Sequence, residues 1–264
     1  MLSAKNLHIT FNPGTVIETK ALRGLSLEIP AGQFVTVIGS NGAGKSTLLN
    51  AVSGDLAVDS GAIVIDGVDV TGQPVWERAK QVARVFQDPM AGTCEDLTIE
   101  ENMALAYSRG QRRGLGMAVK GFMRSEFRER LATLGLGLEN RLGDRIGLLS
   151  GGQRQAVSLL MAALQPSRIL LLDEHTAALD PRTAQFVLGL TTRIVAENKL
   201  TTMMVTHSMR QALDVGDRTI MLHQGNVVLD VSGPERKGLD VPDLLVMFER
   251  VRGEALSDDG LLLG

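Results

Sequence analysis

Nine consecutive residues, Gly39-Ser40-Asn41-Gly42-Ala43-Gly44-Lys45-Ser46-Thr47, carry the pattern G-x-x-x-x-G-K-[ST]. They follow the apolar run Phe34-Val35-Thr36-Val37-Ile38 and precede Leu48-Leu49-Asn50-Ala51-Val52, the strand-then-helix setting that the pattern requires. Glycines at 39, 42 and 44 let successive backbone N–H groups turn inward as an anion-binding nest, and the helix that follows adds its positive end. Lys45 would place a point charge on the β- and γ-phosphates, and the Ser46 hydroxyl would ligate a magnesium ion bridging them. A plain glycine-rich turn is the alternative, but the length and setting of the match favour a site for a nucleoside triphosphate.

A phosphate loop alone leaves GTPases, kinases, helicases and transport ATPases open. Ile169-Leu170-Leu171-Leu172-Asp173-Glu174 is a continuous apolar run ending in two acids, as expected of a strand buried on both faces. Asp173 is placed to hold magnesium through water, and Glu174 to orient or deprotonate an attacking water. On its own, such a pair reads equally as a solvated loop or a helix cap. Coupled to the loop upstream, it reads as hydrolytic machinery. A second glycine-rich end, Ser150-Gly151-Gly152, opens a helical segment over residues 153–164. It offers a hydroxyl, two unhindered N–H groups and a positive dipole end. The chain therefore carries two phosphate-binding ends, and only one of them bears a lysine.

Leu148-Leu149-Ser150-Gly151-Gly152-Gln153-Arg154-Gln155 resembles the signature motif of ATP-binding-cassette (ABC) ATPases, and the rest of that family's pattern appears in order. Gln87 resembles its Q-loop glutamine, which senses magnesium and the γ-phosphate. Ala177-Ala178-Leu179-Asp180 resembles its D-loop, with Asp180 at the dimer contact. His207 resembles its switch histidine, a donor to the γ-phosphate, and Phe11 lies where an aromatic ring stacks on adenine. The resemblance covers residues 1–235. It implies ATP and Mg2+ as cofactors, with Ser46, Gln87 and Asp173 around the metal. It also implies a head-to-tail homodimer in which Leu149, Ser150, Gly151, Gly152 and Gln153 of one copy close on ATP held by the other. His175 stands where the family most often has proline and Ala178 where serine is common; Glu174 is intact, so hydrolysis is expected.

The fold implied is α/β: a P-loop NTPase (RecA-like) core with a mainly parallel sheet, an N-terminal antiparallel β-subdomain and an inserted α-helical subdomain over residues 88–164. Residues 236–264 are read as a short C-terminal helix, residues 242–251, and a disordered polar tail. Strands are expected at residues 7–11, 25–29, 61–67, 82–86, 169–172 and 201–205, with a hairpin joining 220–222 to 226–229 through Gln224-Gly225. Helices are expected at 75–80, 182–198 and 208–215. Thr98-Ile99-Glu100-Glu101 fits a capping box opening another.

Composition excludes several classes. A net charge of -3 and an aromatic content of 3% argue against a general polyanion binder and against base-stacking platforms. One cysteine, Cys94, rules out an internal disulfide and a cysteine-cluster zinc site; it reads as a small apolar filler in a reducing compartment. No apolar run approaches the roughly 18 residues of a membrane span, and the first residues lack a secretory signal. With one cassette and no arm domain, the chain resembles the separate ATPase subunit of a bacterial transporter. It would lie on the cytoplasmic face of the membrane beside two permease subunits and, in the full system, a periplasmic or surface solute-binding protein. Residues 88–97 resemble the part that meets the permease's cytoplasmic coupling helix. The resemblance is nearest to cassettes of amino-acid-type importers, and no nucleic acid is expected. Two other readings stay open: a soluble cassette acting on nucleic acid, ribosomes or complex assembly, for which the basic stretch 109–130 is the sole candidate surface, and a nucleotide-binding module without turnover. That stretch itself reads first as a solvated helical face.

Overall fold

The computed structural model describes residues 1–111 and 119–252. Strands whose residues alternate between apolar and polar build an antiparallel sheet, since only one of its faces is covered. β1 (Leu2–Phe11), β2 (Thr19–Ile29), β4 (Ser60–Ile65) and β5 (Val68–Asp69) lie in the order β2-β1-β4-β5. β1 and β2 are longer than the sequence suggests. Register shifts at residues 4–7 and 7–8 interrupt the alternation of β1 and hide its first half from pattern reading.

The uninterrupted apolar runs form the interior of a second sheet, in the order β10-β9-β3-β8-β7-β6. Its members are β3 (Phe34–Gly39), β6 (Val82–Val85), β7 (Ile169–Asp173), β8 (Thr201–Val205), β9 (Arg218–His223) and β10 (Asn226–Ser232). All neighbours are parallel except the terminal β9–β10 hairpin. Side chains divide by parity. Val35 and Val37 join one apolar layer with Ile169, Leu171, Met203 and Val205; Phe34, Leu170, Leu172 and Met204 join the layer on the other face.

The first layer is closed by α1 (Lys45–Ser53) and the antiparallel sheet. Leu48 and Leu49 of α1 are fully buried there, contributing about 2 kcal/mol each. α1 stops at Gly54, and the guanidinium of Arg78, from the short α2 (Val75–Arg78), donates to the carbonyls of Ala51 and Val52 at its end. The second layer is closed by α3 (Ile99–Tyr107), α4 (Gly121–Ala132), α5 (Gly151–Ala163) and α6 (Pro181–Asn198). Thr98 caps α3 in the expected capping box with Glu101.

A third, smaller cluster joins Ile38 and Met221 to α7 (Met209–Asp214) and α9 (Val241–Arg252), whose Leu244 and Phe248 are fully buried. α8 (Gly233–Lys237), which no periodicity marked, precedes α9, and the expected boundary at residue 235 falls inside it. The C-terminal tail from residue 253 lies outside the described residues, as do residues 112–118 of the basic stretch. The described part of that stretch is mostly exposed, but Arg109 turns inward and donates to the carbonyls of Ala162 and Gln165. Cys94 is a correction: it is exposed, on a loop where its neighbours leave it open, and fills no apolar space.

Candidate active site

Parallel pairing fixes where the chemistry can sit, because every strand of the set ends on the same edge. Val37 pairs with Val205, Asp173 with Val205, and Val85 with Leu172. The loops after β3, β8, β7 and β6 therefore leave at one level, and they carry residues 39–47, His207, Glu174 and Gln87 respectively. The first of these opens α1. Gly44 is its N-cap with φ 101°, and a side chain there would meet the Ala21 carbonyl oxygen at 2.7 Å, so only glycine fits. No side chain caps α1, which leaves its N-terminal N–H groups facing outward. Lys45 curls back over its own loop, with Nζ 2.6 Å from the Gly39 carbonyl oxygen and 3.1 Å from that of Ser40. Burial lowers its pKa, opposed by the charges of Glu174 and Asp173.

A cleft of about 260 Å³ over this loop is walled by Phe11, residues 41–47, Glu174 and His207. Phe11 ends β1, is 39% exposed and so is not core. Glu174 is buried and held at φ 46°, a left-handed conformation rare outside glycine. Its N–H donates to the Val205 carbonyl at 3.0 Å, and its Oε1 lies 2.6 Å from His207 Nε2. Asp173 and Gln87 are not in the cleft wall. Gln87 is exposed just past β6. Asp173 Oδ2 accepts from Arg84 Nη2 at 2.6 Å, a pairing that the sequence did not suggest. Among the described residues no three His, Cys, Asp or Glu side chains gather. The Ser46 hydroxyl in the cleft wall and the Asp173 carboxylate at the end of β7 are hard-oxygen donors of the kind magnesium takes alongside waters and phosphate oxygens.

The second glycine-rich end lies apart from this cleft, at the start of α5. Ser150 is its N-cap: its Oγ accepts from the Gln153 N–H at 3.3 Å, while Gln153 Oε1 accepts from the Ser150 N–H at 3.2 Å. The hydroxyl proton of Ser150 and the N–H groups of Gly151 and Gly152 stay available, and Ser150 and Gly151 are exposed. Leu149 is buried beneath them. Asp180 caps α6, accepting from the Thr183 N–H at 3.1 Å.

The model of the ABC transporter family matches residues 22–177, from β2 to the loop after Glu174. The chain belongs to the ABC transporter family. A tyrosine transport ATP-binding protein of Clostridioides difficile is 44% identical to this cassette over 254 residues, spanning 94% of this chain and 99% of the relative. The thiamine import ATP-binding protein ThiQ of Escherichia coli is 36% identical over 202 residues, spanning 76% and 82%. The dimeric structure of a post-hydrolysis state of the ATP-binding cassette MJ0796 bound to ADP and Pi matches with a TM-score of 0.74 at 29% identity, covering 88% of this chain and 98% of that one. The chain is thus an ATP-binding, ATP-hydrolysing subunit of an ABC transporter, with the P-loop α/β fold.

A larger cavity of this cassette, about 680 Å³, lies between α2, α3 and α5, away from the phosphate loop. Trp76, Lys80, Arg84, Cys94, Leu105 and Arg109 are among its lining residues. Ala91, Gly92, Thr93 and Cys94, from the stretch 88–97, also line it. Among the described residues no helix is long and apolar enough to cross a membrane.

Proposed function

We propose that this cassette drives import of an amino-acid-like solute by closing head to tail on a second copy of itself. The observation that carries the reading is the pair of helix N-termini, at Lys45 and at Gly151, which lie apart in one chain and of which only the first carries a lysine. An open cleft of about 260 Å³ over the first is small for a nucleotide triphosphate and fits half of a site. In the closed pair, the loop 39–47 of one copy holds the phosphates, Phe11 stacks on adenine, and Leu149 to Gln153 of the other copy cover the γ-phosphate, with Asp180 at the contact.

Within each site Lys45 leaves the carbonyls of Gly39 and Ser40 for the phosphates. Glu174 orients the attacking water and takes its proton, and His207, hydrogen-bonded to Glu174, faces the γ-phosphate. Ser46, Asp173 and Gln87 would hold Mg2+, which when bound screens the phosphate charge. Residues 1–235, with the helical insertion 88–164, make up the ATPase domain. The cavity between α2, α3 and α5 of each copy receives a cytoplasmic segment of one of two permease subunits, which seats the pair on the inner membrane face. A periplasmic or surface solute-binding protein completes the system. The tyrosine transport relative supports an amino-acid cargo.

Three variants test the composite site. Lys45→Ala should weaken ATP binding by about tenfold or more, since it removes charge-assisted bonds. Ser150→Arg should leave binding intact and abolish turnover. Glu174→Gln should lower turnover by about a hundredfold or more at unchanged binding. Mixing Lys45→Ala chains with Ser150→Arg chains regenerates one undamaged site per mixed pair, and activity should return in part. Loss of ATP binding in Ser150→Arg alone, or mixtures as inert as either parent, would sink the model.

A further inference from the structure

Arg84 belongs to none of the motifs above, yet it is the basic residue in an otherwise apolar strand, Val82-Ala83-Arg84-Val85, leading to Gln87. Its guanidinium has two arms. Nη2 donates to Asp173 Oδ2 at 2.6 Å; Nη1 donates to Asn50 Oδ1 at 2.7 Å and to Asp55 Oδ2 at 3.0 Å. Asp55 is fixed in turn by the Ser53 hydroxyl at 2.7 Å, and the guanidinium carbon stands 4.7 Å from the centre of the Phe86 ring. Both Arg84 and Asp173 are largely shielded, with side-chain exposures of 13% and 15%. Their attraction is therefore not washed out as it is for a surface pair.

We propose that Arg84 is the resident counter-ion of Asp173, competing with the magnesium of the nucleotide for this carboxylate and thereby favouring release of the metal–ADP product. The proposal rests on the reading that Asp173 holds magnesium. Asp173 precedes Glu174 in sequence and its charge reaches Lys45, at a site that must accept a dication with ATP and let it go with ADP. A carboxylate without a counter-charge would hold the dication more tightly than one already paired. The second arm makes exchange feasible: when a cation takes Asp173, Nη1 keeps Asn50 and Asp55, so the guanidinium gives up one bond and is not left unpaired. An opposite charge within hydrogen-bond reach, shielded from water, stabilises the carboxylate, and an incoming dication has to displace that interaction to reach the same oxygen. Arg84 acts through Asp173 and touches no reacting atom.

The test uses the full chain loaded with ADP and titrated with Mn2+, read from the free-ion EPR signal. Arg84→Gln and Arg84→Met should bind Mn2+ about tenfold more tightly than the native chain. Arg84→Lys, which keeps the charge, should stay within about threefold of it. Affinity for ADP in EDTA should be unchanged in all three, and release of a fluorescent ADP should slow in Arg84→Gln only when Mg2+ is present. Asp55→Asn, at an exposed position, removes part of the second arm and a negative charge, and should weaken Mn2+ binding. Asp173→Asn tests the underlying reading: unaltered Mn2+ affinity there would remove Asp173 from the metal site. If Asp173→Asn weakens Mn2+ while Arg84→Gln fails to tighten it, the counter-ion proposal is overturned and Arg84 is a strut between β6 and α1. Tighter Mn2+ binding by Asp55→Asn would overturn it as well.

Discussion

His175 follows Glu174 directly, and its ring is 1% exposed. Its Nε2 lies 2.9 Å from Thr191 Oγ1, whose hydroxyl donates to the Val187 carbonyl, so the imidazole is the donor of the pair. The loop that sets Glu174 at φ 46° is thereby tied to α6. Burial pushes the His175 pKa down to about 4 from 6.5. The unfolded chain takes up a proton below pH 6.5 that the folded chain refuses until pH 4. Stability from this group is complete above 6.5 and is lost as pH falls through that window, by about 3 kcal/mol in total. Urea unfolding at pH 7 and pH 4.5 should show the native chain losing roughly 2 kcal/mol more than His175→Gln. Parallel losses in the two proteins would disprove the assignment. At this scale the sequence is legible where a local pattern dictates placement: Lys45 opens a helix after a buried strand, Asp173 and Glu174 stand at the end of another, and Ser150 caps a third element. It is illegible for Arg84, whose meaning depends on Asn50, Asp55 and Asp173, brought together only by the sheet.

Elements were legible for the same reason in reverse: the buried parallel strands and the amphipathic α6 repeat a pattern over many residues, and long-range contacts only confirm it. What the pattern hides is where elements end and how closely they approach. α1 ends where buried Arg78 meets its last carbonyls, a contact between residues 27 apart in sequence. The close approach of α5 to α6 is likewise invisible. A Cβ on Gly152 would stand 2.1 Å from Thr183 Cγ2. The start of the signature helix and the start of the helix capped by Asp180 are thus in contact inside one chain. Gly152→Ala should cost about 1–3 kcal/mol of stability through overpacking. Thr183→Ser removes the offending methyl and keeps the hydroxyl that supports Asp180. The pair Gly152→Ala with Thr183→Ser should therefore recover most of that loss in urea unfolding. A double variant no more stable than Gly152→Ala alone would mean that the contact does not control this junction.

On the scale of the whole molecule, the cassette presents two unfinished surfaces. One is the phosphate cleft with its separate covering end; the other is the cavity of about 680 Å³ bordered by β6, whose Arg84 reaches both that cavity and Asp173. A partner seated in the cavity would sit one side chain away from Asp173, a short path for coupling the phosphate cleft to a membrane subunit. Trp76 marks the rim of this cavity, 71% exposed and the chain's one tryptophan, and it takes no part in the phosphate cleft. A large, rigid aromatic side chain standing open beside a cavity is of the type that anchors protein interfaces. Reconstitution with the permease subunits should shift the Trp76 emission to shorter wavelength as water leaves the ring. Trp76→Ala should weaken that association by about tenfold or more while leaving ATP turnover of the isolated cassette unchanged. If the complex forms with the emission of the free chain, the partner docks elsewhere, and the path through Arg84 loses its starting point while the cleft chemistry stands untouched.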